Sequence, residues 1–236
     1  MKHFFTIVAV FAVFLSQAQT IDQFYKSSNQ FFATYVQEGK VKYSEVAENI
    51  GVLDEILKEA SNMDLSALGQ TEIKAYWINV YNLGVIKIVV EESPIKSPLD
   101  VDGFFDIKQI PFNGKQLSLN AIEHDILRAK YMDPRLHFVL VCGAVGCPPL
   151  ISKAYIPSTL EQQLEEQTRL ALNGNFVKVN TKRKKIQVTE LFKWYKSDFT
   201  MNHSTVIDFI NKYRPEKIPT NYKLEYYPYD WSINSL

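Results

Sequence analysis

The chain predicts an α+β fold, a helical N-terminal part packed on a small, mostly antiparallel sheet with hairpins. Two observations lead there. Helical periodicity dominates residues 21–92, whereas strand-like stretches start only at residue 105 and then mix with further helices. That order favours α+β over a doubly wound sheet. Two polar turns, Asn113-Gly114 and the basic tip Lys182-Arg183-Lys184, each lie between short strand-like stretches, which is the signature of a hairpin.

The elements follow in order. Lys2 and His3 precede FFTIVAVFAVFL and then Ser16-Gln17-Ala18. A short basic start, an apolar stretch too short to span a bilayer well and a small-residue cleavage site predict a signal peptide over residues 1–18. The remaining 19–236 read as one domain with a secreted or periplasmic address. No cysteine lies at the boundary, which argues against a lipid anchor. Residues 21–36 read as an amphipathic helix with Phe24, Phe31, Phe32 and Tyr35 on its apolar face, and 43–60 as a second helical pattern. Residues 71–92 form the longest helix candidate, stopped by Ser93-Pro94. Its Trp77, Leu83 and Ile86, with Phe138 and Leu140 further on, are expected in the core. Strands are predicted over 105–112 and 115–119, a helix over 120–131 and a strand over 136–142. A polar helix over 158–172 precedes a hairpin of 176–180 with 185–189. Short helices near 190–199 and 204–213 lead to a last strand-like stretch at 223–227. No later stretch is read as a membrane span.

Lysine plus arginine equals aspartate plus glutamate, so charge gives no case for nucleic acid or anionic membranes as partners. Two cysteines are too few for a disulfide scaffold. Gly84 and Gly103 are isolated, so neither a phosphate loop nor a dinucleotide fingerprint is present and no cofactor is implied. The cysteines and histidines lack CxxC, HExxH or HxH spacing, so no metal is implied either.

Chemistry concentrates in three segments. In the helix TEIKAYWINVYN, Asn79 and Asn82 share a face with Trp77 close by. Buried amides need partners: they either tie the helix to neighbouring backbone or orient a catalytic histidine. In SLNAIEHDILRAKY, Asn120 can cap the helix with Glu123 in a capping box. His124 lies at the border of the apolar face, and Arg128 stands one turn beyond it. In HFVLVCGAVGCPPL, strand alternation puts Cys142 on the face opposite His137, which makes His124 the better base for a Cys142 nucleophile. Cys142 and Cys147 are either a structural disulfide, if the GAVG loop turns back, or a thiolate nucleophile with its neighbour.

AYWINVYN, LNAIEHDILR, HFVLVCGAVGCPPL, FKWYKSDF and YDWSIN resemble, in that order, the signature segments of the DUF547 family, over roughly residues 41–234. The pattern matches at Trp77, Asn79, Asn82, Glu123, His124, Arg128, Cys142, Cys147 and Pro148. The family carries no assigned activity. The resemblance implies a thiol-hydrolase-like architecture similar to papain or transglutaminase. In papain-like chains the cysteine precedes the histidine, whereas His124 precedes Cys142 here. The thiol reading therefore needs a permuted arrangement, or His137 or His203 as base.

The leading expectation is a cysteine-dependent hydrolase or acyl transferase acting on an amide or peptide-like substrate. Cys142, His124, Asn79 and Glu123 are its catalytic candidates, and Asn82, Trp77, Arg128 and Cys147 its binding candidates. The alternative is a non-catalytic domain whose Cys142–Cys147 disulfide shapes an aromatic cleft for a peptide or glycan.

Overall fold

The computed structural model describes residues 21–112 and 115–236. The signal peptide expected at residues 1–18 and the Asn113-Gly114 turn lie outside them. Helix α1 covers residues 21–35 and runs into a minimal hairpin of β1 (Val36–Gln37) and β2 (Lys40–Val41). The helical stretch expected over 43–60 is two helices, α2 (Tyr43–Glu48) and α3 (Ile50–Ser61), broken at Asn49. Asn49 has left helical geometry (φ −124°, ψ 31°), and its side chain bonds back to the carbonyl of Glu45. That is the local competition with helix that asparagine offers.

Helix α4 (Gln70–Glu92) is the axis of the molecule. Its residues from Lys74 to Ile86 are all buried, so the helix is enclosed on every side, as a core helix must be. By length and composition alone it could cross a membrane, contrary to the expectation that no such stretch follows the N-terminus; 83% of that window is buried inside the protein. Trp77, Leu83 and Ile86, expected in the core, are there. Strands β3 (Gln109–Phe112) and β4 (Lys115–Ser118) pair antiparallel, and their hairpin packs on α4 at Gly84. A Cβ on Gly84 would stand 1.9 Å from Ile110 Cδ1, so this glycine is what lets Ile110 reach the helix backbone. Residues 105–108, expected in the first strand, form turns instead.

The segment expected as a helix over 120–131 is helical, but Ala121–Arg128 is a π-helix that passes into a short α5 (Ala129–Tyr131). The expected strand over 136–142 does not form. Pro134–Phe138 is a 3₁₀-helix started by Pro134 and capped by the Asp133 carboxylate, which accepts the Arg135 N–H at 3.0 Å. Proline at the first helical position and aspartate before it are a helix start, and they outweigh the apolar run that follows. Val139 closes the turn (φ −129°, ψ −16°), and residues 140–142 follow without a strand partner; Asn82 takes the place of one.

Helix α6 (Leu160–Asn173) precedes a three-stranded sheet in the order β5 (Val177–Asn180), β6 (Lys185–Thr189), β7 (Lys223–Tyr227). The β5–β6 pair is the expected hairpin. The β6–β7 pair is parallel, a long-range pairing bridged by α7 (Leu191–Trp194), α8 (Lys196–Thr200) and α9 (Val206–Tyr213). This sheet and α9 share a second core in which Phe138 packs against Phe176, Phe192, Phe199 and Phe209. The C-terminal tail then returns across the molecule. Asn234 N–H donates to Gly143 O, Val41 N–H to Asn234 O, and the Tyr43 hydroxyl to Asn234 Oδ1.

Candidate functional site

The loop between the cysteines is set by its two glycines. Gly143 adopts φ +82°, where a side chain would be strained, and turns the chain back. A Cβ on Gly146 would stand 2.8 Å from Tyr229 Cδ1 and 2.9 Å from the Asp230 backbone, so only glycine admits the C-terminal tail here. The tail is held by Val145 N–H to Ser232 O and Gly146 N–H to Asp230 O, both 2.7 Å. With the loop turned back, the Cα atoms of Cys142 and Cys147 stand 6.3 Å apart and their sulfurs are bonded. In this form neither sulfur is a thiolate. The Tyr229 hydroxyl contacts both, at 3.2 Å from Cys142 Sγ and 3.1 Å from Cys147 Sγ. Burial raises the pKa of that hydroxyl, so it is neutral.

Cys142 lines a cleft of about 180 Å³, whereas Cys147 is buried behind it. His137 and Glu123 line the same cleft, with Asn120, Tyr81 and Tyr195. Its aromatic walls are completed by Phe105, Trp194, Tyr229 and Trp231. His137 Nε2 stands 2.8 Å from Asp198 Oδ2, and its ring lies on Tyr195 with centroids 4.0 Å apart. Asp198 also receives a fork from Arg128, Nε to Oδ2 at 2.8 Å and an Nη to Oδ1 at 2.9 Å. Burial alone would raise the Asp198 pKa; the hydrogen bonds from His137 and Arg128 outweigh it and hold the carboxyl well below the usual range.

The expected pairing of His124 with Cys142 is absent. His124 Nδ1 is 2.7 Å from Arg128, and the ring lines a separate depression with Met132 and Met201. His137, not His124, lines the cleft with Cys142. Strand alternation, which would set His137 opposite Cys142, does not apply to a 3₁₀-turn. His203 sits edge-on to Phe209, away from the cleft.

Glu123 is likewise placed otherwise than expected. Asn120 has helical φ and ψ and makes no capping bond; the Ser118 hydroxyl accepts the Ala121 N–H at 3.1 Å instead. Freed of capping, Glu123 accepts from Tyr81 at Oε2 (3.2 Å) and from Tyr195 at Oε1 (2.9 Å). π-Helical turns are uncommon and recur at functional sites.

The two amides of α4 clamp backbone. Asn79 accepts the Tyr155 N–H and donates to Tyr155 O, and Asn82 accepts the Val141 N–H and donates to Val139 O. Neither lines the cleft, and Trp77 packs away from it against Tyr76 and Phe112. Asn82 nonetheless fixes the backbone that delivers Cys142. Sequence reasoning did not single out Asp198, Tyr195, Trp194, Tyr229 or Trp231, although FKWYKSDF and YDWSIN, the segments that carry them, stood out. Among the described residues no group of three or more His, Cys, Asp or Glu side chains is placed to hold a metal ion.

A family model described as "Protein of unknown function, DUF547" matches residues 65–170. The match contains α4, the π-helix and the cysteine loop, whereas Asp198 and the wall formed by Trp194, Tyr229 and Trp231 lie beyond it. No curated protein and no solved structure matches the chain.

Proposed function

For a chain that carries a DUF547 domain at residues 65–170, we propose a thiol-dependent hydrolase or acyl transferase that acts on an amide or peptide-like substrate and is latent while Cys142 and Cys147 are bonded. One observation carries this reading: Cys142 and His137 line the same cleft, and Asp198 holds Nε2 of His137 at 2.8 Å. That is the nucleophile, base and orienting group of thiol catalysis.

An external dithiol reduces the Cys142–Cys147 bond and is itself oxidised to a disulfide. Cys142 passes its proton to His137, and the thiolate attacks the substrate carbonyl. The leaving amine takes that proton as the thioester forms, and water or a second amine then releases the acyl group. Asp198 is a positioning residue: it holds the His137 ring and favours the imidazolium. Exported chains meet disulfide-permissive surroundings, so the latent form suits the secreted or periplasmic address proposed here.

The disulfide itself favours a second reading, a non-catalytic binding domain in which the bond only shapes the cleft. Alkylation separates the two. Without reductant, neither cysteine is labelled in either case. After reduction, the catalytic reading requires Cys142 to react well below an ordinary thiol pKa of about 8.5, with His137→Ala abolishing the shift and His124→Ala leaving it. A reduced Cys142 that titrates as an ordinary thiol and ignores His137 leaves the binding domain as the account.

A further inference from the structure

His137 lines the cleft with its Nε2 already bonded to Asp198. Among the described residues Glu123 is the one acidic side chain that lines it, and no lysine or arginine does. Arg128 is close by, with its guanidinium 4.7 Å from the Tyr195 ring centroid, but both carboxylate oxygens of Asp198 bind it. Glu123 is buried, and its hydrogen bonds come from two tyrosine hydroxyls. Burial, and after it the charge of Glu123, keeps both hydroxyls protonated. Neutral O–H donors solvate a carboxylate without cancelling its charge, and a carboxylate accepts about four hydrogen bonds. Two acceptor positions are left over, and Arg128 attracts the charge of Glu123 from a distance while its fork is taken by Asp198. A desolvated charge of this kind is costly unless a counter-charge arrives.

The same cleft is also lined by rings. Trp194, Tyr229 and Trp231 pack together with centroids 4.8–5.8 Å apart, and Trp194 is 44% exposed. The faces of such rings carry partial negative charge and attract cations, and they also cover alkyl chains.

We infer that the cleft binds a primary alkylammonium group, with its N–H donors on Glu123 and its alkyl stem along Trp194 and Trp231. The charge of Glu123 excludes anions. A quaternary ammonium has no N–H for the free acceptor positions. A cleft of about 180 Å³ is small beside ligand sites of roughly 300–1,000 Å³, so it admits one aminoalkyl end, such as that of a lysine side chain or a diamine. The inference rests on the cleft as the binding site and is independent of the thiol chemistry.

The test uses the full oxidised chain, where no thiol is free, and reads tryptophan fluorescence while n-butylammonium or 1-butanol is titrated at neutral pH. The two probes match in length and differ in charge. A saturable response is expected with the amine, at least tenfold tighter than with the alcohol, and weakened by added salt. Glu123→Gln should remove that preference. Trp194→Ala, at an exposed position that the fold can spare, should weaken the amine and so stands in if Glu123→Gln does not fold. An alcohol that binds as tightly as the amine, an amine response untouched by the folded variants, or no saturable response at all would overturn the inference. Because Cys142 chemistry is read separately by alkylation, either reading can fail alone.

Discussion

His137 Nε2 and Asp198 Oδ2 stand 2.8 Å apart, although the two residues are separated by 61 positions in the chain. The bond joins the 3₁₀-turn before the cysteine loop to α8. Asp198→Asn keeps the shape but removes the charge that favours an imidazolium. In the reduced protein, the pH profile of Cys142 alkylation should shift towards that of an ordinary thiol, as it does for His137→Ala. Asp198→Asn with a wild-type profile would show that the bond is only structural.

The Asn82 clamp should matter to stability more than to shape. Asn82→Ala leaves Val139 O and Val141 N without their partner in a buried setting, at about 1–3 kcal/mol per unsatisfied group. A urea midpoint equal to that of the wild type would contradict the clamp.

Asp133 lies between Lys74 and Arg135 at the entry to the 3₁₀-turn. Burial would raise its pKa, but the Arg135 and Lys74 interactions outweigh that and push it down to about 2. A depressed acid contributes stability above its unfolded pKa of about 4 and loses it as pH falls through the folded value. Asp133→Asn should therefore cost about 2.5 kcal/mol at pH 7, and the gap to the wild type should narrow between about pH 4 and 2. Denaturant titrations of both proteins at each pH measure it; a gap that stays constant with pH removes the charge from the explanation.

Phe138 is fully buried among four phenylalanines of the second core. Phe138→Ala should cost about 3–5 kcal/mol. An unchanged denaturation midpoint would remove Phe138 from the core.

If the N-terminus acts as a signal peptide, pulse labelling should show a precursor that shortens by about eighteen residues. A mature chain that still begins at Met1 would end the proposal of export by cleavage.

The sequence by itself determined what local patterns encode. It set the helix of α4 with its stop at Ser93-Pro94, both hairpins, the α+β order, the burial of Trp77, Leu83, Ile86, Phe138 and Leu140, and the DUF547 resemblance that the match at residues 65–170 supports. Each follows from periodicity, turn chemistry or motif order within a short window. What surrounds Cys142 was decided by tertiary structure. The apolar run from Leu136 looked like a strand because alternation cannot be told from a 3₁₀-turn and a side-chain-clamped extension when no neighbouring strand is specified. Taken as a strand, the run sets Cys142 opposite His137 and so favours His124. The choice of base depended on Asp198, 61 residues away, and the state of the cysteines on a tail that must fold back for Tyr229 to pack beside Gly146. Such contacts are fixed by packing between distant segments, and no local spacing records them.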